Sequence, residues 1–200
     1  MERAFLLRHI FLLLLIFWAL LSLCELDLQF ATSPDVNLVL NDAMFFEIID
    51  PEQLSYTYKL RPARDFGGVF EHTLNKVELR FADPLDGCGT FTSSMRGSIA
   101  FVLRGGCSFL TKTYNAEMAN AFGAIISDSD EENDDKFVDM IDDNTSRKVN
   151  IPAMFLMGKD GAMIRHTLQQ LNMDSALINI PINVTGIPLG RVNQPPWTLW

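Results

Sequence analysis

The feature that most constrains the fold of this chain is a hydrophobic period that changes twice within one stretch. Ile99–Leu103 is a continuous apolar run of strand length, which predicts a buried strand. Across Phe109–Phe122 the apolar residues recur about four positions apart, which predicts a helix, with Gly123 as the residue that ends it. Ala124–Ile126 then predicts a second short buried strand. A strand, a helix and a strand in this order are typical of a sheet that carries helices on its surface.

The remaining periodic segments extend this pattern in both directions. A second helix is predicted to begin at Asp160-Gly161 and to end near Leu171. Its inward residues are predicted to be Met163, Ile164 and Leu168. Further strands are predicted at Met44–Ile49, Tyr56–Tyr58, Val77–Phe81, Ile151–Leu156 and Ala176–Val184. Strand–helix–strand units preceded by antiparallel strands predict a mixed α/β domain, in the α+β class.

The first 24 residues predict a secretory signal peptide. Arg3 and Arg8 precede the apolar run Ile10–Leu21, which is shorter than the roughly 20 residues that a membrane-spanning helix needs. Small side chains then favour cleavage between Cys24 and Glu25. An uncleaved signal-anchor is the less favoured alternative. Cleavage would leave 14 basic and 24 acidic residues in the mature chain.

Composition narrows the classes of partner. A net charge of −9 without a cluster of Lys or Arg argues against nucleic acids and anionic membrane surfaces as ligands. The acidity is concentrated in Asp128–Asp143, which holds nine carboxylates and one lysine. An EF-hand aligned on this segment would have Asn133 at the glycine position and Asp139 at the bidentate glutamate position. A solvated, partly disordered surface loop is therefore the favoured interpretation, and calcium binding is left open.

Two further features are those of an extracytoplasmic protein. Without Cys24 the chain keeps Cys88 and Cys107, which predict a disulfide in an oxidising compartment, with two separate buried thiols as the alternative. The bridge would close a loop of about 20 residues and stabilise the fold by about 3 kcal/mol. Asn144 and Asn183 begin N-x-[ST] triplets and are predicted N-glycosylation sites. Together with the signal peptide, these features predict a secreted, extracellular protein.

Catalytic motifs are sparse. Only His72 and His166 follow the signal peptide, and the sequence contains no H-E-x-x-H, G-x-S-x-G, P-loop or G-x-G-x-x-G pattern. Asp65-Phe66-Gly67 is interpreted as a turn. Because a Ser-His-Asp triad is recognised by geometry, a hydrolase is disfavoured but stays open. We predict no catalytic residue, no cofactor site and no metal site.

A series of short motifs follows the predicted elements between residues 88 and 161. The motifs are Arg104-Gly105-Gly106-Cys107-Ser108-Phe109, Lys112, Gly123-Ala124-Ile125-Ile126, and Ile151-Pro152 leading to Asp160-Gly161. This series resembles the protease-associated (PA) domain family over about residues 65–182. The resemblance implies a PA-domain fold, with β-sandwich-like strands and two or more flanking helices. The expected organisation is a signal peptide (1–24), an N-terminal strand segment packed on the domain (25–64), the PA domain (65–182) and a C-terminal tail (183–200).

The resemblance also implies a function. Members of the PA family are non-catalytic modules that bind peptides or regulate access to substrates. We therefore expect a secreted, N-glycosylated interaction module built on a stand-alone PA domain, with an unidentified protein or peptide partner. A regulator or inhibitor of a secretory-pathway protease and a lumenal sorting adaptor are the alternatives. No nucleic acid and no stable membrane insertion after cleavage are expected.

The C-terminal tail carries several large apolar residues. Pro195, Pro196, Trp197 and Trp200 form either a docking peptide for a partner or a hydrophobic strap that packs back on the domain. Packing is favoured, because exposed tryptophans are unfavourable on the surface of a secreted protein.

Overall fold

The computed structural model describes residues 43–198 of the chain. These residues form seven strands and two α-helices. In chain order they are β1 (Met44–Asp50), β2 (Thr57–Pro62), β3 (Leu74–Phe81), β4 (Ser98–Leu103), α1 (Phe109–Met118), β5 (Gly123–Ser127), β6 (Ala153–Leu156), α2 (Gly158–Gln170) and β7 (Ser175–Ile180). Short 3-10 helices lie at Glu52–Leu54 and Leu189–Arg191. Over this part of the chain, neither helix combines the length and hydrophobicity needed to cross a membrane.

The seven strands close into a single barrel in the order β1-β2-β6-β5-β4-β3-β7, with β7 paired back to β1. The neighbours β3, β4, β5 and β6 run parallel, and the other pairings are antiparallel. The mixed α/β content agrees with the sequence-based prediction. The expected sandwich-like arrangement is not confirmed, because each described strand has a hydrogen-bonded neighbour on both sides and the sheet joins end to end.

The barrel core explains why β4 and β5 are uninterrupted apolar runs. Ile99 and Phe101 belong to the same buried cluster as inward residues of the other strands. The alternate residues Ala100 and Val102 pack in a second cluster, together with Ala116 of α1. A strand that is buried on both faces has no polar side, so its sequence does not alternate. The α1 crossover therefore covers the outer face of the parallel strands.

The end of α1 differs from the prediction. The helix stops at Met118, and Asn120 adopts the left-handed conformation with φ of 67°. The Ala121 N–H then donates to the Ala116 carbonyl, as in a Schellman cap. Gly123 is not the cap residue but the first residue of β5. A Cβ at this residue would lie 3.2 Å from both the Ile99 side chain and the Pro152 carbonyl oxygen, a tight contact that favours glycine.

Other boundaries also shift by a few residues. Strand β2 continues to Pro62 and not only to Tyr58, and β3 begins at Leu74 and not at Val77. Helix α2 begins at Gly158, before the predicted Asp160-Gly161 start, and Met157 precedes it in an extended conformation. Strand β7 ends at Ile180 and not at Val184, because Pro181 follows and cannot donate a backbone hydrogen bond to the sheet.

Candidate functional site

The PA-like turn after β4 is fixed by a disulfide. Cys88 and Cys107 are bonded, with their Cα atoms 5.7 Å apart, which confirms the predicted pairing. The bridge joins the loop after β3 to the turn after β4. Gly106 has a φ of 79°, and a Cβ at this residue would lie only 3.0 Å from the Cys88 sulfur. The second glycine of the motif is therefore required by the bridge that it adjoins.

Lys112 is buried beneath the same turn. Its Nζ donates to the carbonyl oxygens of Asp86 and Gly105, and lies 3.4 Å from the Cys88 sulfur. Burial lowers the pKa of Lys112, while the charge of Asp86 acts in the opposite direction. The ammonium thus holds together the two loops that the disulfide links. This role in the turn leaves Lys112 without access to a ligand.

Arg104 forms the charged side of the turn. Its Nη1 lies 3.0 Å from Oδ1 of the buried Asp128, and the Asn133 side chain donates to Oδ2 of the same carboxylate at 2.8 Å. Burial alone would raise the pKa of Asp128, but the hydrogen bonds from Asn133 and Arg104 outweigh it and hold this pKa below its usual value. The first residue of the acidic loop is therefore a structural anchor.

The rest of the acidic loop is tied to the domain as well. Met140 is buried in the second cluster, which also contains Ala100 and Val102, and Phe137 packs against that cluster. Asp143 accepts a hydrogen bond from Ser108, which caps α1, and this bond together with those from Thr145 lowers the pKa of Asp143 to about 2. Within residues 43–198, no group of three or more His, Cys, Asp or Glu side chains could hold a metal ion.

The two histidines lie apart from any nucleophile. His166 is exposed on α2, and its Nε2 is 3.9 Å from the Glu131 carboxylate. His72 is exposed in the segment before β3. In the described part of the chain, neither imidazole makes a hydrogen bond to a serine, threonine or cysteine. The geometry therefore offers no base-activated nucleophile at these two positions.

Both sequons are accessible. Asn144 and Asn183 are exposed. The Oδ1 atom of Asn183 accepts a hydrogen bond from the Thr185 N–H at 2.8 Å, so its Nδ2, the atom that would carry a glycan, remains available. Their glycosylation remains a prediction. The predicted cleavage site between Cys24 and Glu25 lies outside the described residues.

The tail packs on the barrel through a buried carboxylate. Trp197 Nε1 and Thr198 Oγ1 both donate to Oδ1 of Asp160, at 3.0 and 2.7 Å. The edge of the Trp197 indole also meets the Tyr56 ring, with centroids 5.3 Å apart. The strap interpretation is confirmed for Trp197, and Trp200 lies beyond the described residues.

Asp160 is a residue whose importance the sequence did not reveal. Its side chain is fully buried, and Oδ2 has no hydrogen-bond partner among the described residues. Burial raises the pKa of Asp160 to about 6, against the opposing effect of the bonds from Thr198 and Trp197. In the sequence this residue marks a helix start and the last of the PA-like motifs, and no local pattern shows that a tail segment far along the chain would cover it.

An open groove lies at the other end of the barrel, where β1 begins and β2 and β7 end. Its volume is about 840 Å³. Polar and apolar side chains contribute about equally to its lining. The lining residues are Ala43, Met44, Arg61, Pro62, Ala63, Arg64, Thr73, Asp139, Pro181, Ile182 and Asn183. The sequence drew attention to Asn183 as a sequon and to Asp139 in the EF-hand alignment, but it linked neither to a groove, because the lining residues come from distant segments without a shared motif.

The groove contains two cationic side chains and one anionic side chain. Arg61 Nη1 lies 3.0 Å from Asp139 Oδ1, and the guanidinium lies 5.6 Å from the centre of the Phe137 ring. Arg64 Nη1 is 3.9 Å from the other oxygen of Asp139, and the Arg64 side chain is 75% exposed. Its guanidinium makes no hydrogen bond to any described residue. Arg64 is therefore the cation of the groove that is free to meet a ligand.

Known proteins resemble this chain in sequence and, more distantly, in structure. The PA domain model matches residues 73–164. A PRADC1-like protein from Drosophila melanogaster is 46% identical over 161 residues, which cover 78% of this chain and 82% of the relative. Signal peptide peptidase-like 2 from Arabidopsis thaliana is 31% identical over 113 residues, covering 56% of this chain but 20% of that protein. The solved structure of a zinc aminopeptidase from Bacillus subtilis is similar with a TM-score of 0.47 and 24% identity, covering 68% of this chain and 29% of that one. The family match and the similarity along nearly the whole fly protein show that the chain belongs to the PA domain family.

Proposed function

We propose that this protein is a secreted, N-glycosylated, non-catalytic interaction module that binds an extended peptide segment of a protein partner in the groove. The groove is the observation that carries the proposal. A volume of about 840 Å³ is within the range of ligand-binding clefts, and the lining combines apolar side chains with charged and polar groups that can orient a ligand.

The opposite end of the barrel supports the same assignment. There the conspicuous polar groups, Lys112, Asp128 and Asp160, are buried and hold loops, the turn or the tail in place. Lys112 and Asp128 are bonded inside the protein, and Asp160 is covered by the tail although its Oδ2 has no partner, so none of the three is accessible to a substrate. The groove is where an arginine stays exposed next to apolar surface, and such a surface suits binding and provides no nucleophile.

Secretion is supported by the N-terminal sequence pattern, the disulfide and the exposed sequons. The decisive measurement is the intact mass of tagged protein from culture medium, before and after glycosidase treatment and with thiol alkylation. The proposal predicts a chain that begins at Glu25, loses mass with the glycosidase and has no free thiol. A cell-retained chain with Met1 intact would contradict the secreted part of the proposal.

The binding part is tested by filling the groove. Thr73 is an exposed groove residue whose hydroxyl makes one hydrogen bond, to the Pro181 carbonyl. Thr73→Trp should block the groove with little cost in folding. Thr92 is a matched control, because it is also exposed, bonds once through its hydroxyl, to Asp83, and lies at the other end of the barrel.

Wild type and both variants would be applied to an array of random short peptides. We expect Thr73→Trp to abolish the peptide signals and Thr92→Trp to preserve them. Peptide binding that survives in Thr73→Trp would place the binding surface elsewhere and contradict the proposed function of the groove. Addition of the secreted chain to a candidate protease, with its rate as the readout, distinguishes the regulator from the simple adaptor.

A further inference from the structure

We infer that the groove selects peptides that present a carboxylate beside an apolar side chain. This inference rests on the proposed function and adds the chemistry of the partner. It is drawn from three features of the groove: the closed sheet around it, the unequal state of its two arginines, and the acidity of the surrounding chain.

The closed barrel determines how a peptide can be held. Extended peptides commonly bind by adding a strand to a free sheet edge, where main-chain hydrogen bonds accept any sequence. Each described strand of this barrel already has two partners. At the groove, Pro62 and Pro181 also lack the N–H that an added strand would require. Recognition in the groove must therefore depend on side chains, and hence on the sequence of the peptide.

The two arginines differ in what they can offer. Arg61 is committed to Asp139 at 3.0 Å and is held over the Phe137 ring. Arg64 is anchored only through its backbone, where its N–H donates to the Met140 carbonyl, and its nearest carboxylate is 3.9 Å away. A guanidinium has five donors in a planar fork that fits a carboxylate. Arg64 can thus bind a second carboxylate without breaking the pair between Arg61 and Asp139.

The charge of the chain makes this arginine pair selective. Two cations share one anion on the groove wall, whereas the chain as a whole carries a net charge of −9. A basic peptide would meet repulsion from the arginines, and a polyanion would be repelled by the rest of the surface. A short segment with a single carboxylate avoids both penalties. Met44, Ala63 and Ile182 of the groove lining offer apolar surface to the neighbouring apolar side chain.

The test uses three short labelled peptides that share alternating Leu and Val and differ only in a central Glu, Gln or Lys. Binding to the secreted chain would be measured by fluorescence anisotropy. We expect the Glu peptide to bind at least about tenfold more tightly than the Gln peptide, and the Lys peptide to bind most weakly. In Arg64→Gln the preference for Glu should fall to about onefold. Arg191→Gln removes an exposed arginine outside the groove and should leave the preference unchanged.

The outcomes separate this inference from the function on which it rests. Equal binding of the Glu and Gln peptides, abolished by Thr73→Trp, would overturn the carboxylate preference and leave the peptide groove intact. If wild type binds none of the three peptides, or if Thr73→Trp binds them all, both statements are contradicted. Competition by a heparin oligosaccharide, with binding unaffected when Leu and Val are replaced by Ser, would assign the groove to a polyanion and overturn the inference. Thermal unfolding of each variant establishes that it is folded.

Discussion

Replacing Asp160 by Asn should flatten the pH dependence of stability between about pH 4 and pH 7. The wild-type carboxyl has a pKa of about 6 when folded, against 3.8 for an ordinary aspartate carboxyl. A folded pKa above the unfolded one means that the folded protein binds the proton more tightly. The resulting stabilisation is complete below about pH 4 and is lost as the pH rises through about 6. A shift of about two pKa units corresponds to about 3 kcal/mol.

The charged groups around Asp160 do not reverse this sign. Lys159, its neighbour on α2, lowers the pKa of Asp160, and Asp134 of the acidic loop raises it. Tyr58 of β2 also faces the carboxyl, but burial raises the pKa of its phenol above the ordinary value, so it stays neutral in this range. Asp143 has a lowered pKa of about 2, so its contribution is present above about pH 4 and disappears only in stronger acid. The change in the free energy of unfolding between about pH 4 and pH 7 is therefore assigned to Asp160.

The assay is urea unfolding of the secreted chain at several pH values, followed by tryptophan fluorescence. Trp18 precedes the predicted cleavage site, so Trp197 and Trp200 are the tryptophans of the mature chain and both lie in the tail. Asp160→Asn keeps an acceptor for the Trp197 and Thr198 donors but cannot ionise. The wild-type free energy of unfolding should fall by about 3 kcal/mol across the window, and that of the variant should stay level.

A second variant keeps the reasoning testable if Asp160→Asn does not fold. Thr198→Val removes one of the two donors that hold the pKa of Asp160 down, so the midpoint of the transition should move to higher pH. Should Asp160→Asn retain the full wild-type slope, or Thr198→Val leave the midpoint in place, the buried carboxyl is not the group that titrates and the argument is refuted.

Three further results are expected. Replacing both Cys88 and Cys107 by Ser should lower the free energy of unfolding by about 3 kcal/mol, the value for a closed loop of about 20 residues, and equal stability in urea would contradict this. Lys112→Met should cost about 2–4 kcal/mol in the same assay, because it leaves two backbone carbonyls without their charged donor, and a loss under 1 kcal/mol would show that the buried ammonium is not needed. Thr185→Ala removes the sequon but keeps Asn183, so it should reduce the intact mass by one glycan and strengthen peptide binding in the groove; unchanged binding would show that the glycan lies clear of the groove.

The parts of the fold that could be predicted are those encoded by local patterns. The continuous apolar runs of β4 and β5 and the four-residue spacing of apolar residues in α1 are visible in the sequence itself. Only two cysteines follow the predicted cleavage site, so each has one possible partner in the chain. The predicted C-terminal cap of α1 was wrong for a specific reason. Asn tolerates the left-handed conformation at residue 120, whereas at residue 123 a side chain would crowd Ile99 of β4 and the Pro152 carbonyl, which favours glycine there. Sequence shows that a glycine is present but not which of its two uses applies.

Closure of the barrel and the groove depend on contacts between distant segments. The sheet closes because Glu47 of β1 pairs with Asn179 of β7, and no periodic pattern specifies such a register. The groove follows from that closure, since it lies where those two strands and β2 end together. Arg61 and Arg64 have no unusual spacing in the sequence, and they become conspicuous only when Asp139 is brought between them.

The two ends of the barrel have different roles. Where the parallel strands end, the disulfide links two loops, and the Lys112 ammonium and the Asp160 carboxylate are buried. Apart from Asp160 Oδ2, the polar atoms of these two side chains are bonded to neighbouring segments. Where the parallel strands begin, the walls are made by the ends of antiparallel strands, which contribute prolines, short side chains and one unsatisfied guanidinium. Substitutions at the first end should therefore change stability before they change binding, and substitutions at the groove should change binding first. Of the PA motif residues, Arg104–Phe109, Lys112 and Asp160-Gly161 lie at the first end, whereas Gly123 and Ile151-Pro152 lie where β5 and β6 begin. The motif therefore identifies the family mainly through its framework, and it says little about the groove in which we propose that this member binds its partner.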